Sequence, residues 1–366
     1  MVLASTNDPS SLTPKRLSVV LPMKTALLLF SLLLLTACSQ LRDLPHLAAG
    51  QWQLLYERQA LSDLLADPAQ PEQLKTRLRE AALARDFASQ RLALPDNGSY
   101  RSYVELGRPY VVWNLFASPE FSLQPLTHCF PLAGCVAYRG YFAPGRARGA
   151  AALLMQEGWD TAVVGIEAYS TLGWFDDPLL SSMLRRSDAE LAGLIFHELA
   201  HQQFYLPGDT AFNESFARFV EEEGLRQWRQ QRGLPAADGR LERQREQFTA
   251  LLLASRGRLE ALYAQTLPAS AMRQAKQAEF ARLRQDYRQL RDRQWQGDRR
   301  FDAWINAPLN NARLLPVGLY EQWLPAFARL FAQNEGNWPR FYAAVAQLAR
   351  QPEAERQARL QALSRP

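Results

Sequence analysis

Residues 194–201 read Leu-Ile-Phe-His-Glu-Leu-Ala-His, so two histidines stand four residues apart in an otherwise apolar stretch. Positions i and i+4 share one face of an α-helix, and His197 and His201 can therefore direct one imidazole nitrogen each to a single metal ion. Among four histidines, this spacing arises by chance on the order of once in a hundred sequences or less. The stretch predicts a metal-binding helix, with Zn²⁺ as the expected cofactor.

Glu198 lies beside the two predicted ligands rather than among them. From that position a carboxylate can take a proton from a zinc-activated water and pass it to a leaving amine. The sequence therefore predicts Glu198 as a catalytic general base. A structural zinc site has no need of such a base, which favours a hydrolytic site over a structural one.

A second amphipathic helix is predicted from Asp209 to Gly224, with Asp209 or Thr210 as its N-cap. Within it residues 212–220 read Phe-Asn-Glu-Ser-Phe-Ala-Arg-Phe-Val. Glu214 is the predicted third metal ligand, and Glu221, about two turns further along the same face, is the main alternative. A set of two histidines and one glutamate leaves a fourth position open for water, as is typical of catalytic zinc.

The run at 212–220 resembles the segment of Asn-Glu-Gly-Phe-Ala type that carries the third zinc ligand in gluzincins of the aminopeptidase-N type. Two departures stand out: the glutamate follows the second histidine by thirteen positions, a shorter separation, and no segment of Gly-x-Met-Glu-Asn type precedes it. Residues 134–142 and 168–178, with the His-Glu block, are similar to a family of bacterial lipoproteins described as predicted aminopeptidases. That resemblance covers most of the mature chain and implies a zinc metallopeptidase with a peptide substrate; the aminopeptidase activity follows from it alone.

The first 37 residues have the features of a leader and lipoprotein signal peptide, with Met23 as the expected true start. An apolar run from Ala26 to Leu35 precedes Cys38, the predicted site of lipidation and membrane anchoring. Ser39 favours the outer membrane by analogy with lipoprotein sorting, so we expect a periplasm-facing envelope protein. A cleaved secretory signal without lipid is the alternative. The other two cysteines, at positions 129 and 135, either form a disulfide in this compartment or remain as buried thiols.

We expect the fold class to be α+β and mainly helical, with residues 39–366 forming one zincin-like unit. Hydrophobic periodicity divides this unit into four parts. They are an N-terminal helical hairpin (39–95) with helices expected at 51–66 and 71–92, a sheet with the zinc-site helices (100–232), a helical hairpin broken at Leu267-Pro268 (239–298) and C-terminal helices (300–366). In the second hairpin an apolar stripe recurs at heptad spacing and is expected to be a packing surface: Phe280, Leu283, Tyr287 and Leu290. Strands are predicted at 109–116, 135–142 and 161–168 and a helix at 147–157, with 136–142 as the candidate edge strand for an extended peptide.

Further site residues are predicted with alternatives left open. Tyr320 is the first choice for stabilising an oxyanion, and Tyr138, Tyr141 and Tyr169 are competitors that could equally be packing residues. Tyr138 and Tyr141 are also predicted to bind substrate. Asn310 and Asn311 either hold the substrate backbone or cap a helix. Glu167, Asp176 and Asp177 are candidates for binding a free α-ammonium group.

The formal net charge of +5 is modest and comes from arginines interspersed with glutamates, so no nucleic-acid partner is expected. Three functions are compatible with these residues. The first is a zinc aminopeptidase, the second is a zinc endopeptidase of the cell envelope, and the third is a non-catalytic zinc-binding lipoprotein that acts as a scaffold or chaperone.

Overall fold

The computed structural model describes residues 44–130, 134–235, 239–317 and 322–365. These residues are mainly helical, at 60% helix, and their strands form three small sheets, in agreement with the predicted α+β class. The chain divides into two units, residues 1–49 and 50–366, and of the first only the start of helix α1 is described. Cys38 and the predicted signal peptide lie outside the described residues. None of the described helices combines the length and apolar character needed to span a bilayer.

The helices and strands are numbered in chain order. The helices are α1 (Leu44–Glu57), α2 (Leu61–Ala66), α3 (Glu72–Leu92), α4 (Pro144–Gln156), α5 (Asp188–Gln203), α6 (Thr210–Gln231), α7 (Arg240–Tyr263), α8 (Ala269–Gln294), α9 (Asp302–Asn306), α10 (Asn311–Leu314), α11 (Leu324–Gln333), α12 (Trp338–Ala349) and α13 (Glu353–Ser364). The strands are β1 (Gln59–Ala60), β2 (Ser102–Val104), β3 (Val112–Pro119), β4 (His128–Phe130), β5 (Gly134–Val136), β6 (Arg139–Tyr141), β7 (Trp159–Ile166) and β8 (Leu179–Leu180).

The N-terminal region is less regular than the predicted hairpin. A continuous helix was expected through residues 51–66, but β1 interrupts it and pairs with β2, Gln59 lying opposite Tyr103. Pairing with a strand more than forty residues away replaces the local helical hydrogen bonds, and local periodicity does not reveal such a partner. The second predicted helix is present as α3, which begins directly after Pro71.

The main sheet is antiparallel with strand order β6-β3-β7. The strand predicted at 135–142 is wrong as a single element, because it is divided into β5, which pairs with β4, and β6, which pairs with β3. Cys129 and Cys135 lie opposite each other on β4 and β5 and form a disulfide, which decides between the two alternatives for these cysteines.

Helices α5 and α6 pack closely because two glycines leave room for large neighbours. A Cβ atom at Gly193 would lie 2.8 Å from Leu225, and one at Gly224 would lie 2.9 Å from Phe196. Behind α6, Phe212 and Phe216 pack against rings of α11 and α12 with centroid separations of 5.1 to 6.2 Å. This apolar packing fixes the orientation of the α6 face that carries Glu214.

The second helical hairpin is present as α7 and α8, with Pro268 at the N-cap of α8. Phe280, Leu283 and Tyr287, predicted as a packing stripe, are buried with Phe248 and Leu252 of α7 in one hydrophobic cluster. Apolar spacing along α8 therefore determines how the hairpin closes, and this packing holds α7 in place beside α5 and α6.

Candidate metal centre

Helix α5 begins with a capping box that sets its register. The Ser187 hydroxyl accepts a hydrogen bond from the backbone N–H of Glu190, and the Glu190 carboxylate accepts one from the backbone N–H of Ser187. Two and three turns later the helix carries His197, Glu198 and His201, each only 8% exposed. Most residues of this part of the helix are buried, and these three polar side chains lie among apolar neighbours.

Helix α6 brings the third group to the histidines. Asp209 caps it by accepting a hydrogen bond from the backbone N–H of Phe212, as the sequence predicted. Oε2 of Glu214 lies 3.4 Å from Nε2 of His197 and 3.7 Å from Nε2 of His201. The three ligand atoms lie within 4.8 Å of one another.

Their spacing fits one metal ion. Ligand atoms about 2 Å from a tetrahedral zinc ion stand about 3.3 Å from each other, close to the observed separations. Imidazole nitrogen and carboxylate oxygen are also the donors that zinc accepts. His197, His201 and Glu214 are therefore the residues that would hold a metal ion here.

Glu221, the alternative ligand, occupies a different position. Its Oε2 lies 3.3 Å from Nδ1 of His197, the ring nitrogen that does not face Glu214. Its Oε1 accepts a hydrogen bond of 2.8 Å from Arg218. Burial would raise the pKa of Glu221, but the bonds to His197 and Arg218 lower it to about 2. Glu221 is thus an ionised carboxylate that supports His197 from behind.

The carboxylates make the site favourable for positive charge. Burial alone would lower the pKa of His197, yet Glu214 and Glu221 together raise it to about 10. Burial likewise opposes ionisation of Glu214, and the two histidines overcome this and hold its pKa far below the usual range. A proton on His197 and a metal cation compete for the same negative surroundings, so metal binding would release protons.

Glu198 lines a cavity of about 640 Å³ together with His197, and its carboxyl group is close enough to His201 and Glu214 to feel their charges. Burial raises the pKa of its carboxyl group, and the neighbouring histidines oppose that rise. The same cavity is lined by residues 165–168, at the end of the edge strand β7. The sequence predicted 136–142 as an edge strand beside the metal helix. Within that range β6 is indeed an edge of the sheet, but the cavity containing His197 and Glu198 is bordered by the opposite edge strand, β7.

The four tyrosines that the sequence predicted as site residues lie in different environments. Tyr138 lies near the metal cluster: burial and the charge of Glu214 raise the pKa of its phenol. Tyr141 does not, because it is buried in the cluster that joins the sheet to α4, with Trp113 and Ala147. Its predicted role in substrate binding therefore finds no support. Tyr169 donates a hydrogen bond to Gln51. Tyr320 lies outside the described residues.

Tyr205 belongs to the site and was missed from the sequence. Its ring centroid lies 6.4 Å from that of His201, and burial together with Glu214 raises the pKa of its phenol. Tyr205 follows His201 by four positions, and on a continuous helix this spacing would predict that the two side chains share a face. However, α5 ends at Gln203 and the backbone of Phe204 is extended. Tyr205 therefore lies two residues beyond the end of the helix, where helical spacing no longer predicts which way a side chain points.

The two asparagines serve the fold. Asn310 caps α10 by accepting from the backbone N–H of Arg313, and its amide donates to the carbonyl of Thr161. Asn311 is fully buried; it accepts from the Tyr263 hydroxyl and donates to backbone carbonyls, including that of Ser122. Asn310 therefore has the predicted capping role. The substrate-binding prediction is wrong for Asn311, because its side chain is fully buried and inaccessible to a substrate.

Of the three acidic candidates for binding an amine, only Glu167 lines the cavity with His197 and Glu198. Its Oε2 lies 2.7 Å from Nε of Arg186. Asp176 accepts from the backbone N–H of Gly98 and is exposed. Asp177 is buried, and accepts from the backbone of Thr171 and the amide of Gln202. Glu167, paired with Arg186, is therefore the acidic candidate that shares a cavity with His197 and Glu198.

Comparison with known protein families identifies the family of this chain. Residues 44–360 match the family described as "Putative aminopeptidase". Neither the search of curated proteins nor the search of solved structures gave a significant match. Because the matched region spans most of the sequence and includes the His-His-Glu cluster, the chain belongs to this family of aminopeptidase-like proteins.

Proposed function

We propose that this protein is a zinc-dependent aminopeptidase of the gluzincin type. The single observation that carries the proposal is the convergence of His197, His201 and Glu214 beside the buried carboxylate of Glu198. Family membership supports the peptidase activity. The spacing and nature of the three donors support zinc as the metal.

Zn²⁺ in this cluster would supply Lewis-acid chemistry, polarising a peptide carbonyl and lowering the pKa of a water molecule. The chain itself supplies the proton transfers. Glu198 accepts a proton from the attacking water and donates it to the departing amine. Its buried setting raises its pKa, so the carboxylate is a stronger base than an exposed glutamate.

Two tyrosines are suited to stabilising negative charge on the attacked carbonyl. Burial and the negative charge of Glu214 raise the phenol pKa of both Tyr138 and Tyr205, so both side chains stay protonated. A protonated phenol donates a hydrogen bond to an oxyanion, and such a donor is most effective in a site with little water. We assign this role first to Tyr138, which extends from the sheet side, and second to Tyr205.

Specificity for the amino end requires a group that binds an ammonium ion. Glu167 is our candidate, because it follows β7 directly and lines the cavity together with Glu198. An extended peptide lying along the free edge of β7 would bring its amino terminus to this carboxylate. Arg186 holds the Glu167 side chain in place.

The proposed location is the cell envelope. Cys38, within a signal-like N-terminal sequence, is the expected lipid attachment site, and the catalytic unit would face the periplasm from the outer membrane. The Cys129–Cys135 disulfide supports an oxidising compartment, since such bonds are rare in the cytosol.

The test is hydrolysis of amino-acid amides and their N-acetylated counterparts by the purified protein, before and after removal of metal with a chelator and after restoration of Zn²⁺. We expect release of amino acids from the free amides only, lost with the metal and regained with zinc. Cleavage of blocked peptides would instead favour an envelope endopeptidase. Zinc binding without any hydrolysis would favour the non-catalytic lipoprotein.

A further inference from the structure

The cavity lined by His197 and Glu198 adjoins a second, larger one of about 900 Å³. Both cavities are lined by Arg186, Arg218, Glu221 and Arg245. The second cavity extends along α5 towards its N-terminus, with α7 on the opposite side. The two cavities therefore share a wall, and together, as the groove, they reach from His197 and Glu198 towards the N-terminus of α5.

Most arginines of this groove are committed to protein partners. Arg186 lies 2.7 Å from Glu167, and Arg218 lies 2.8 Å from Glu221 and 2.7 Å from Glu222. Arg226 and Arg229, at the far end, bond to Glu223 and to the carbonyl of Pro235.

Arg245 differs from these arginines. Its nearest carboxylates, Glu242 and Glu190, lie 3.8 and 3.9 Å away, beyond the range of a direct hydrogen bond. Its side chain is 35% exposed in the wall shared by the two cavities. Within the described residues it is thus the arginine of this groove whose guanidinium donors are least engaged.

The position of Arg245 along the groove defines a substrate length. It lies beside Glu190, which precedes His197 by seven residues on α5. Seven residues of helix rise about 10 Å, and an extended peptide covers the same distance with about three residues. A carboxylate three residues beyond the scissile bond would therefore reach Arg245.

We propose that Arg245 binds a carboxylate of the peptide substrate and so selects short peptides, or peptides with an acidic residue at that distance. This inference rests on the proposed aminopeptidase function. A guanidinium forms two parallel hydrogen bonds with a carboxylate, which gives both affinity and fixed geometry. Glu190 and Glu242 hold the arginine loosely enough for a substrate anion to displace them.

The experiment measures binding by calorimetry and hydrolysis by the intact protein for three tetrapeptides. One has a free C-terminal carboxylate, one is its C-terminal amide, and one is the amide with glutamate as the last residue. We expect the amide to bind at least tenfold more weakly than the free acid. Recovery of affinity with the glutamate peptide would identify an acidic side chain as an alternative anion, and no recovery would assign the site to the C-terminus alone.

In Arg245→Gln, the preference for the free acid should disappear while hydrolysis of the amide is unchanged, and Arg245→Lys should keep part of the preference. Arg282→Gln, on the exposed face of α8, is the matched control and should bind as the parent does. Equal binding of acid and amide by the parent, or an unchanged preference in Arg245→Gln, overturns the inference. Because binding is measured separately, absence of hydrolysis would count against the proposed function and leave the carboxylate site to be judged by affinity.

Discussion

Oε2 of Glu221 lies 3.3 Å from Nδ1 of His197, while Oε2 of Glu214 lies 3.4 Å from Nε2 of the same ring. The imidazole is therefore held between two carboxylates that stand seven residues apart on α6. In metal sites, a carboxylate on the outer nitrogen fixes the tautomer and the orientation of the ligand ring. This relationship assigns different roles to two glutamates that the sequence alone could not distinguish.

Replacing each of these glutamates should separate the two roles. Glu214→Gln removes a predicted ligand, so we expect this variant to lose tight binding of added zinc. Glu221→Gln keeps all three donors, so zinc should still bind, with an affinity about 10- to 100-fold weaker. Elemental analysis and competition with a chelating dye measure both effects. Equal losses in the two variants would contradict the assignment.

Arg218 should matter for both stability and metal binding. Its side chain is only 14% exposed and contacts Glu221, Glu222 and Glu242. Arg218→Leu leaves these carboxylates without their cation, and we expect the free energy of unfolding to fall by about 3–5 kcal/mol. Zinc affinity should fall as well, because Glu221 loses its support.

The control for this variant is Arg226→Leu on the same helix. Arg226 is 63% exposed and pairs with Glu223, and an exposed pair contributes about 1 kcal/mol or less. Urea unfolding and zinc titration of both variants provide the comparison. Similar small effects for the two would show that the Arg218 cluster is not a structural support of the site.

Asp177 should make stability depend on pH. Burial, with a further contribution from the charge of Glu198, raises the pKa of its carboxyl group to about 6. The folded state thus binds this proton more tightly than the unfolded state. As pH rises from about 4 to about 6, the unfolded state loses its proton first, so stability falls by about 2–3 kcal/mol through this group and is constant above that range.

Asp177→Asn should remove this part of the pH dependence, whereas Asp176→Asn, at the exposed neighbouring position, should preserve it. The measurement is urea unfolding at about pH 4 and about pH 7, with chelator present throughout. The quantity of interest is the difference between parent and variant. An unchanged slope in Asp177→Asn would refute the assignment of a raised pKa.

The disulfide should stabilise the strand pair β4–β5 near the site. Cys129 and Cys135 close a loop with a sequence separation of 6. A loop of this size restricts the unfolded chain enough to contribute ~2 kcal/mol. The double variant Cys129→Ser, Cys135→Ser should be destabilised by that amount under oxidising conditions and match the parent after reduction. Two thiols that react freely in the folded, unreduced parent would contradict the pairing.

Local signals predicted much of the fold and the heart of the site. His197 and His201 share a helix face, Asp209 caps α6, and Pro268 begins α8, and each of these follows from residues within one or two turns. The spacing of the apolar residues on α8 likewise predicted which of its side chains are buried. Such features are encoded in neighbouring residues and need no knowledge of the distant chain.

What the sequence could not provide depends on distant partners. The interruption of the first helix at Gln59 needs the strand at Tyr103, and the division of residues 135–142 needs two different neighbouring strands. In the sequence Asn311 resembles an exposed loop residue, because its burial depends on partners distant along the chain, the Tyr263 hydroxyl and the Ser122 carbonyl. The distinction between Glu214 and Glu221 required the relative rotation of α5 and α6, which is set by packing behind them.

The most direct test of the account is the rate at which the zinc-loaded protein and its Glu198→Gln variant release the N-terminal residue of an unblocked peptide, measured at equal zinc content. The parent should release it, and the variant should bind zinc normally yet be slower by about 10²- to 10⁴-fold, because it has lost the proton-transferring carboxylate. Equal rates in the two proteins, or no release by a fully zinc-loaded parent, would contradict the central claim.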